Sequence, residues 1–261
     1  MSDKSLPAAT PDFTNHNVRL ADGSLTRPAD ATLLKDRPWF ASARRMLERL
    51  FPGGFDGLKL VDLGCLEGGM TLEFARLGFD ALGIEVRESN YACCRYLQEN
   101  AGQTRGTLRF AHDDVWNLGR YGQFDVVFCC GVYYHLDDPR RYLDILAKTA
   151  GQVLILNTHF ATETPCSAFP LSDLTEHEGW QGRWLYEHDE EDSARLDALR
   201  WNSWSNRRSF WPMRPDLLQG LHEAGFPVIL EQYDFLAPDI RKGMTDGIYG
   251  GKCRGIFWGL R

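Results

Sequence analysis

Residues Lys59–Gly78 read KLVDLGCLEGGMTLEFARLG, and this stretch decides the fold. An apolar run from Leu58 to Leu63 breaks at Gly64 into a glycine-containing turn, and Met70, Phe74 and Leu77 then follow at helical spacing. The pattern is strand, tight turn, helix. In an open α/β sheet small ligands bind at the carboxyl end of such a strand, because backbone N–H groups and a helix N-terminus converge there. A dinucleotide loop spaced G-x-G-x-x-G would need glycine at 64, 66 and 69, and position 66 is Leu. The missing glycine is the one that lets the backbone approach a pyrophosphate. Glu67 argues the same way, since a carboxylate in the turn repels a pyrophosphate at the helix N-terminus. Acids at both ends of the turn, Asp62 and Glu67, suit a ligand that carries positive charge.

The stretch VDLGCLEGG resembles the first motif of the class I S-adenosylmethionine-dependent methyltransferases, with Leu66 in place of a usual glycine. The ammonium and sulfonium of S-adenosyl-L-methionine are positive charges of the expected kind. The resemblance extends over roughly residues 58–160. It implies an α/β, Rossmann-like methyltransferase fold: a seven-stranded, mostly parallel sheet with helices on both faces and the last strand antiparallel. It also implies that Asp62, Gly64, Glu67 and Gly68 hold the methionine end of the cofactor, with Cys65 also among the cofactor-binding residues.

The later strands carry the remaining candidates. DALGIEV (80–86) ends at Glu85, about twenty residues after the turn, where a carboxylate can accept two hydrogen bonds from ribose hydroxyls. TLRFAHDDV (107–115) closes on paired acids. By resemblance one of them meets the adenine amino group, with Asp114 placed there by the D-x-x-x-L pattern and Asp113 as its alternate. FDVVFCCG (124–131) is continuously apolar, as a strand covered on both faces should be. It leads into GVYYHL (131–136), similar to the family's fourth-motif loop, which puts Cys130 against the cofactor and Tyr133, Tyr134 and His135 on the acceptor side. Asp138 and Pro139 then begin a helix. His135, with Tyr134, is read as the catalytic candidate: an imidazole can take a proton from an attacking hydroxyl or amine, or can anchor the loop.

The chain has 261 residues, long enough for one large α/β domain with an insertion. Residues 1–37 read as an N-terminal arm with a small hairpin at Asp22 and Gly23, and 38–261 as the methyltransferase domain. Within it, 161–211 holds Trp180, Trp184, Trp201, Trp204 and Trp211 and reads as a lid-like insertion after the fifth strand. These aromatics either stack a substrate or form the insertion's own core. A net charge of -7 leaves no global basic surface for nucleic acid. No apolar run is long enough for a membrane span and the N-terminus lacks a signal-peptide core, so the expectation is a soluble, cytoplasmic protein. The seven cysteines include no C-x-x-C, and adjacent pairs such as Cys129–Cys130 point to opposite faces, so reduced thiols are expected. His112 with Asp113 diverge for the same reason, and His159, His177 and His188 match no ligand spacing, so no metal is expected.

Three functions fit these readings. The first is methyl transfer to an oxygen or nitrogen of a small-molecule acceptor. GVYYHL and SFWPM (209–213) also resemble enzymes that carboxymethylate the tRNA wobble uridine, with Arg207, Arg208 and Arg214 as the local cations. The third is a regulatory protein that binds the cofactor without turnover.

Overall fold

The computed structural model describes residues 10–236 and 239–261. A seven-stranded sheet is built from β1 (Lys59–Leu63), β2 (Asp80–Glu85), β3 (Leu108–His112), β4 (Phe124–Cys130) and β5 (Ala150–His159), with β9 (Val228–Glu231) and β10 (Arg254–Leu260). Its order is β3-β2-β1-β4-β5-β10-β9, and β10 runs antiparallel to both of its neighbours. The chain leaves β10's predecessor by short helices rather than by a crossover, which is what permits the reversal. The order turns outward in both directions between β1 and β4, so the carboxyl ends of these strands open a crevice at a topological switch point.

Helices α1 (Pro38–Leu50), α2 (Gly69–Leu77) and α3 (Glu88–Asn100) precede or connect the first strands, and α4 (Pro139–Thr149) and α6 (Arg214–Glu223) cover the later ones. One apolar face joins Phe40, Leu47, Phe74 and Phe79 to Val126, Phe128 and Trp258. The opposite face gathers Val61, Val127, Tyr142, Leu146 and Leu154. Strands buried on both sides thus explain the continuous apolar runs. Asp138 does stand at the start of α4, but its side chain meets His177 Nε2 at 3.2 Å instead of capping. Glu178 takes over that work, accepting from the backbone N–H groups of Arg140 and Arg141 at 3.0 and 3.3 Å.

Two expectations change. The N-terminal segment 1–37 is no free arm from residue 12 onward, because Phe13, Val18 and Leu20 form a core with Leu34, Leu72, Cys93 and Leu97; its first nine residues lie outside the described ones. The third strand is shorter than 107–115, since Asp113 and Asp114 start a 3-10 turn over Val115–Tyr121.

The segment 161–211 folds as the antiparallel strands β6 (Thr175–His177), β7 (Trp180–Tyr186) and β8 (Arg208–Pro212) with helix α5 (Ser193–Ala198). Buried Arg183 organises it, donating to the carbonyls of Thr162, Glu163 and Ser172. Helices α7 (Ile240–Thr245) and α8 (Ile248–Lys252) then lead into β10. No helix among the described residues is long and apolar enough to cross a membrane.

Candidate active site

The β1–α2 turn is shaped by left-handed backbone. Gly64 has φ 59°, and a Cβ there would come within 2.2 Å of Val132 Cγ2, so only glycine fits under the β4 loop. Leu66 adopts φ 52° without being glycine, at a cost of about 1–2 kcal/mol. The strain is held by Glu85, whose Oε2 accepts from Leu66 N–H at 2.9 Å while Oε1 accepts from Arg87 N–H at 2.8 Å. Burial raises the Glu85 carboxyl, and these N–H groups oppose the rise. Deeper in the turn, Asp62 accepts from Thr71 Oγ1 at 2.7 Å. Burial pushes Asp62 up to about 7, Thr71 opposing and neighbouring Glu85 adding.

A cavity of about 430 Å³ opens above these residues. Asp62, Gly64, Cys65, Glu85, Asp114, Cys130, Tyr134 and His135 line it. Three of the cofactor candidates do not. Gly68 sits behind the turn, packed so that a Cβ would be 2.7 Å from the Phe110 ring. Asp113 turns away and accepts from Asn117 Nδ2 (2.6 Å) and Tyr121 Oη (2.8 Å), so Asp114 is the acid of the pair that reaches the cavity. Glu67 is fully buried and is used as a staple: it accepts from the backbone N–H groups of Thr14, Asn15 and His16 and from Thr14 Oγ1. The cationic-ligand argument built on Glu67 therefore rests on Asp62 alone. The stapled segment brings His16 to the α2 N-terminus, where Gly69 N–H donates to its Nδ1 at 3.0 Å. Burial lowers the His16 imidazole to about 4, so the ring is neutral with its proton on Nε2, which has no protein partner among the described residues.

The β4 loop forms the other wall. Cys130 is buried enough that its thiol is pushed up to about 12, Arg254 opposing, which keeps it protonated. Tyr133, expected on the acceptor side, instead points into the core, where its hydroxyl donates to the Pro139 carbonyl at 2.9 Å. His135 stays at the cavity and its Nδ1 lies 2.8 Å from Glu187 Oε1. Glu187 is buried and also accepts from Ser209 Oγ (2.8 Å) and Ser203 N–H (3.1 Å). Burial alone would raise this carboxyl, but the hydrogen bonds from His135, Ser209 and Ser203 outweigh it and hold the carboxyl below its ordinary range. An ionised Glu187 fixes the Nδ1–H tautomer, leaving Nε2 of His135 as the basic nitrogen.

Residues of the 161–211 segment pack against this wall. Trp211 Nε1 donates to the Tyr134 carbonyl, and Asn206 Nδ2 to the His135 carbonyl, each at 2.8 Å. Arg87, also buried, donates to the carbonyls of Leu196, Asn202 and Ser203 and lies 5.0 Å from the Trp204 ring. The tryptophans divide between the two readings: Trp180 and Trp211 are core, whereas Trp201 and Trp204 line the cavity.

Glu187, Arg87, His16 and Arg254 were not found from sequence. Glu187 lay in a charged run, EHDEED, with its imidazole partner 52 positions away. Arg87 left one signal: it follows Glu85 by two, the spacing of a shared strand face. Among the described residues, one trio of metal-ligand type occurs, Asp138, His177 and Glu178. Its groups are already engaged with each other and with the α4 N-terminus.

The donor set fits an adenosyl ligand with a cationic end. Each Glu85 oxygen accepts one backbone N–H and the carboxyl is also hydrogen-bonded by the Asn90 side chain, so an ionised carboxylate there keeps a remaining lone-pair site for a hydroxyl. Among the described residues Asp62 offers the only other carboxyl on the turn side of the cavity, and Asp114 stands one strand beyond Glu85.

Comparison with known proteins agrees. A methyltransferase-domain family model matches residues 35–231. A ubiquinone biosynthesis O-methyltransferase of Psychrobacter cryohalolentis is 34% identical over 109 residues, and one of Cereibacter sphaeroides 35% over 92. These matches span 40% and 35% of this chain, and 42% and 36% of the relatives, so well under half of either relative's length is matched. Among solved structures, the N-terminal domain of EvdMO1 with SAH bound superposes with a TM-score of 0.60 at 25% identity, covering 84% of this chain and 80% of that one. An S-adenosylmethionine-dependent methyltransferase from Mesorhizobium loti gives 0.54 at 17% identity, over 86% and 98%, and shares the fold. Sheet order, crevice and family match lead to one conclusion: the chain belongs to the class I S-adenosylmethionine-dependent methyltransferases.

Proposed function

We propose that this protein transfers a methyl group from S-adenosylmethionine to the oxygen of a small-molecule acceptor. The observation that carries the choice of oxygen is the His135–Glu187 pair at 2.8 Å on the cavity wall. A hydroxyl becomes a competent nucleophile as it loses its proton, whereas a neutral amine already holds a free lone pair. The relatives named as O-methyltransferases support the same choice.

When bound, the cofactor supplies an electrophilic methyl group on its sulfonium. Glu85 would receive the ribose hydroxyls, Asp114 the adenine, and Asp62 with the Gly64–Leu66 turn the methionine end, with Cys130 on the sulfur side. His135 takes the acceptor's hydroxyl proton on Nε2 while Glu187 holds Nδ1–H and balances the charge of the imidazolium. With its proton on His135, the acceptor oxygen would be held ready for the methyl group that the cofactor would supply, the cofactor being left as a neutral thioether. Residues 161–211 act as a lid that excludes water, tied to the core through Arg87 and Trp211.

A nucleic-acid substrate draws little support. Arg207 pairs with Glu191 and Arg214 with Glu231, which neutralises two of the three local cations. The test is kinetic, with labelled S-adenosylmethionine and catechol as the probe acceptor. Glu187→Gln and His135→Gln should each bind S-adenosylhomocysteine as the parent does yet lower the turnover number about 100-fold or more. Unchanged turnover in both variants would dismiss the dyad, and wild-type protein that binds no S-adenosylhomocysteine would dismiss the whole reading.

A further inference from the structure

Four arginines reach the cavity, and three of them are engaged by other parts of the chain. Arg37 pairs with Asp30 at 2.8 Å, Arg87 serves the insertion's carbonyls, and Arg200 lies 3.8 Å from Glu67. Arg254 differs. Among the described residues its hydrogen-bond and ring contacts are with neutral groups: Nε donates to Asn157 Oδ1 at 2.7 Å, and the guanidinium carbon lies 5.2 Å from the centroid of the Tyr134 ring. Asn157 fixes the guanidinium plane through Nε, and the terminal nitrogens meet the neutral Tyr134 hydroxyl and Cys130 thiol, so the charge itself is left for an anionic partner. Nη2 faces the end of β4, since a Cβ added to Gly131 would meet it and Tyr134 Oη, both at 3.7 Å. The fork therefore opens beside the loop that carries His135.

Its place in the sheet separates it from the ribose end of the cofactor site, at Glu85. Glu85 ends β2 and Arg254 starts β10, with β1, β4 and β5 between them. Four strand spacings amount to about 19 Å, and from β10 the Arg254 side chain reaches back across β5 to the end of β4, beside Cys130 and Gly131. A charge held there serves whatever occupies the acceptor end. Lys252, also on the cavity wall, adds a second positive group on that side. A half-buried guanidinium without a counter-charge is costly, and a carboxylate that accepts two parallel N–H bonds offsets the cost. Tyr134 lies beside both Arg254 and His135, and Trp39 and Trp201 also line the cavity, aromatic walls that suit a planar ring.

We infer that the acceptor is a hydroxylated aromatic acid whose carboxylate is held by Arg254 while its hydroxyl meets His135. The inference rests on the methyl-transfer reading above. Calorimetry on protein saturated with S-adenosylhomocysteine tests it, using 3,4-dihydroxybenzoate and catechol as the charged and uncharged probes. Wild-type protein should bind the acid at least tenfold more tightly than catechol. In Arg254→Met the acid should fall to the affinity of catechol, with catechol and S-adenosylhomocysteine binding kept within threefold, and Arg254→Lys should fall between. Equal affinity for the two probes in wild type, or an acid preference that survives in Arg254→Met, would overturn the inference. So would loss of S-adenosylhomocysteine binding in Arg254→Met, which would assign the arginine to the cofactor's own carboxylate. Wild-type protein that fails to bind S-adenosylhomocysteine at all would instead reject the underlying methyl-transfer reading.

Discussion

Cofactor binding should expel a proton from Asp62. The carboxyl is buried, is held by Thr71 Oγ1 at 2.7 Å, and is pushed up to about 7 by burial, with Glu85 adding to the rise. In the free protein it is therefore mostly neutral below pH 7. An ammonium placed beside it favours the ionised form, so binding and deprotonation are linked. Full ionisation on binding would release about 0.9 proton per ligand at pH 6, about 0.5 at pH 7 and about 0.1 at pH 8. Affinity should rise roughly tenfold between pH 5 and pH 6 and level off near pH 8. Calorimetry of S-adenosylhomocysteine in phosphate and in Tris at each pH counts these protons from the difference in heat. Asp62→Asn should abolish the count and flatten the pH profile. A count near zero in wild type at pH 6, or the same count in Asp62→Asn, would refute the reasoning. The same shift acts on stability. The folded value lies above the unfolded value of 3.8, so the folded state holds the extra proton between about pH 4 and pH 7, and stability falls as pH rises through that window. A shift of about 3 units is on the order of 4 kcal/mol, so Asp62→Asn should be more stable than wild type at pH 8 and not at pH 4.

Two further outcomes follow from the ties that close the site. Arg87→Met removes charge-assisted hydrogen bonds to the carbonyls of Leu196, Asn202 and Ser203, each of about 1.5–3 kcal/mol and not additive, so a loss of about 3 kcal/mol in thermal unfolding is expected. Amide exchange should accelerate over residues 196–203; unchanged exchange there would mean that the insertion is held by other contacts. Glu67→Gln replaces an acceptor-only carboxylate with an amide facing the N–H groups of Thr14, Asn15 and His16. Those amides should lose exchange protection and S-adenosylhomocysteine should bind about tenfold more weakly, because His16 leaves the cavity with them. Wild-type affinity alongside lost protection would separate the staple from the cofactor site.

The parts of the fold that were legible in sequence are those governed by local pattern. The apolar run and turn at Leu58–Gly64 gave β1, the acid about twenty residues on gave the end of β2, and the late loop before RGIFWGLR gave the antiparallel β10. Leu66 was visible as a departure from the family motif. Its meaning was not, since sequence does not show that the residue takes the left-handed conformation a glycine would take, with Glu85 holding its N–H. Glu67 shows the limit most clearly: its charge suited a cationic ligand, but backbone donors 51 to 53 positions earlier consume it. The His135–Glu187 pair and the arginine pairings depend in the same way on contacts across the insertion, which no periodicity encodes. Tyr133 and Tyr134 are adjacent and alike in sequence, and only the turn of the 3-10 helix sends one to the core and the other to the cavity.

The central claim is that one cavity brings the cofactor's methyl group and the His135–Glu187 pair together. A crystal structure with S-adenosylhomocysteine and catechol bound tests it most directly. The expected result places the ribose hydroxyls on Glu85, the adenine at Asp114, the sulfur beside Cys130, and a catechol oxygen within about 3 Å of His135 Nε2. A cofactor whose ribose lies away from Glu85, or an imidazole Nε2 turned from both sulfur and catechol, would contradict the account.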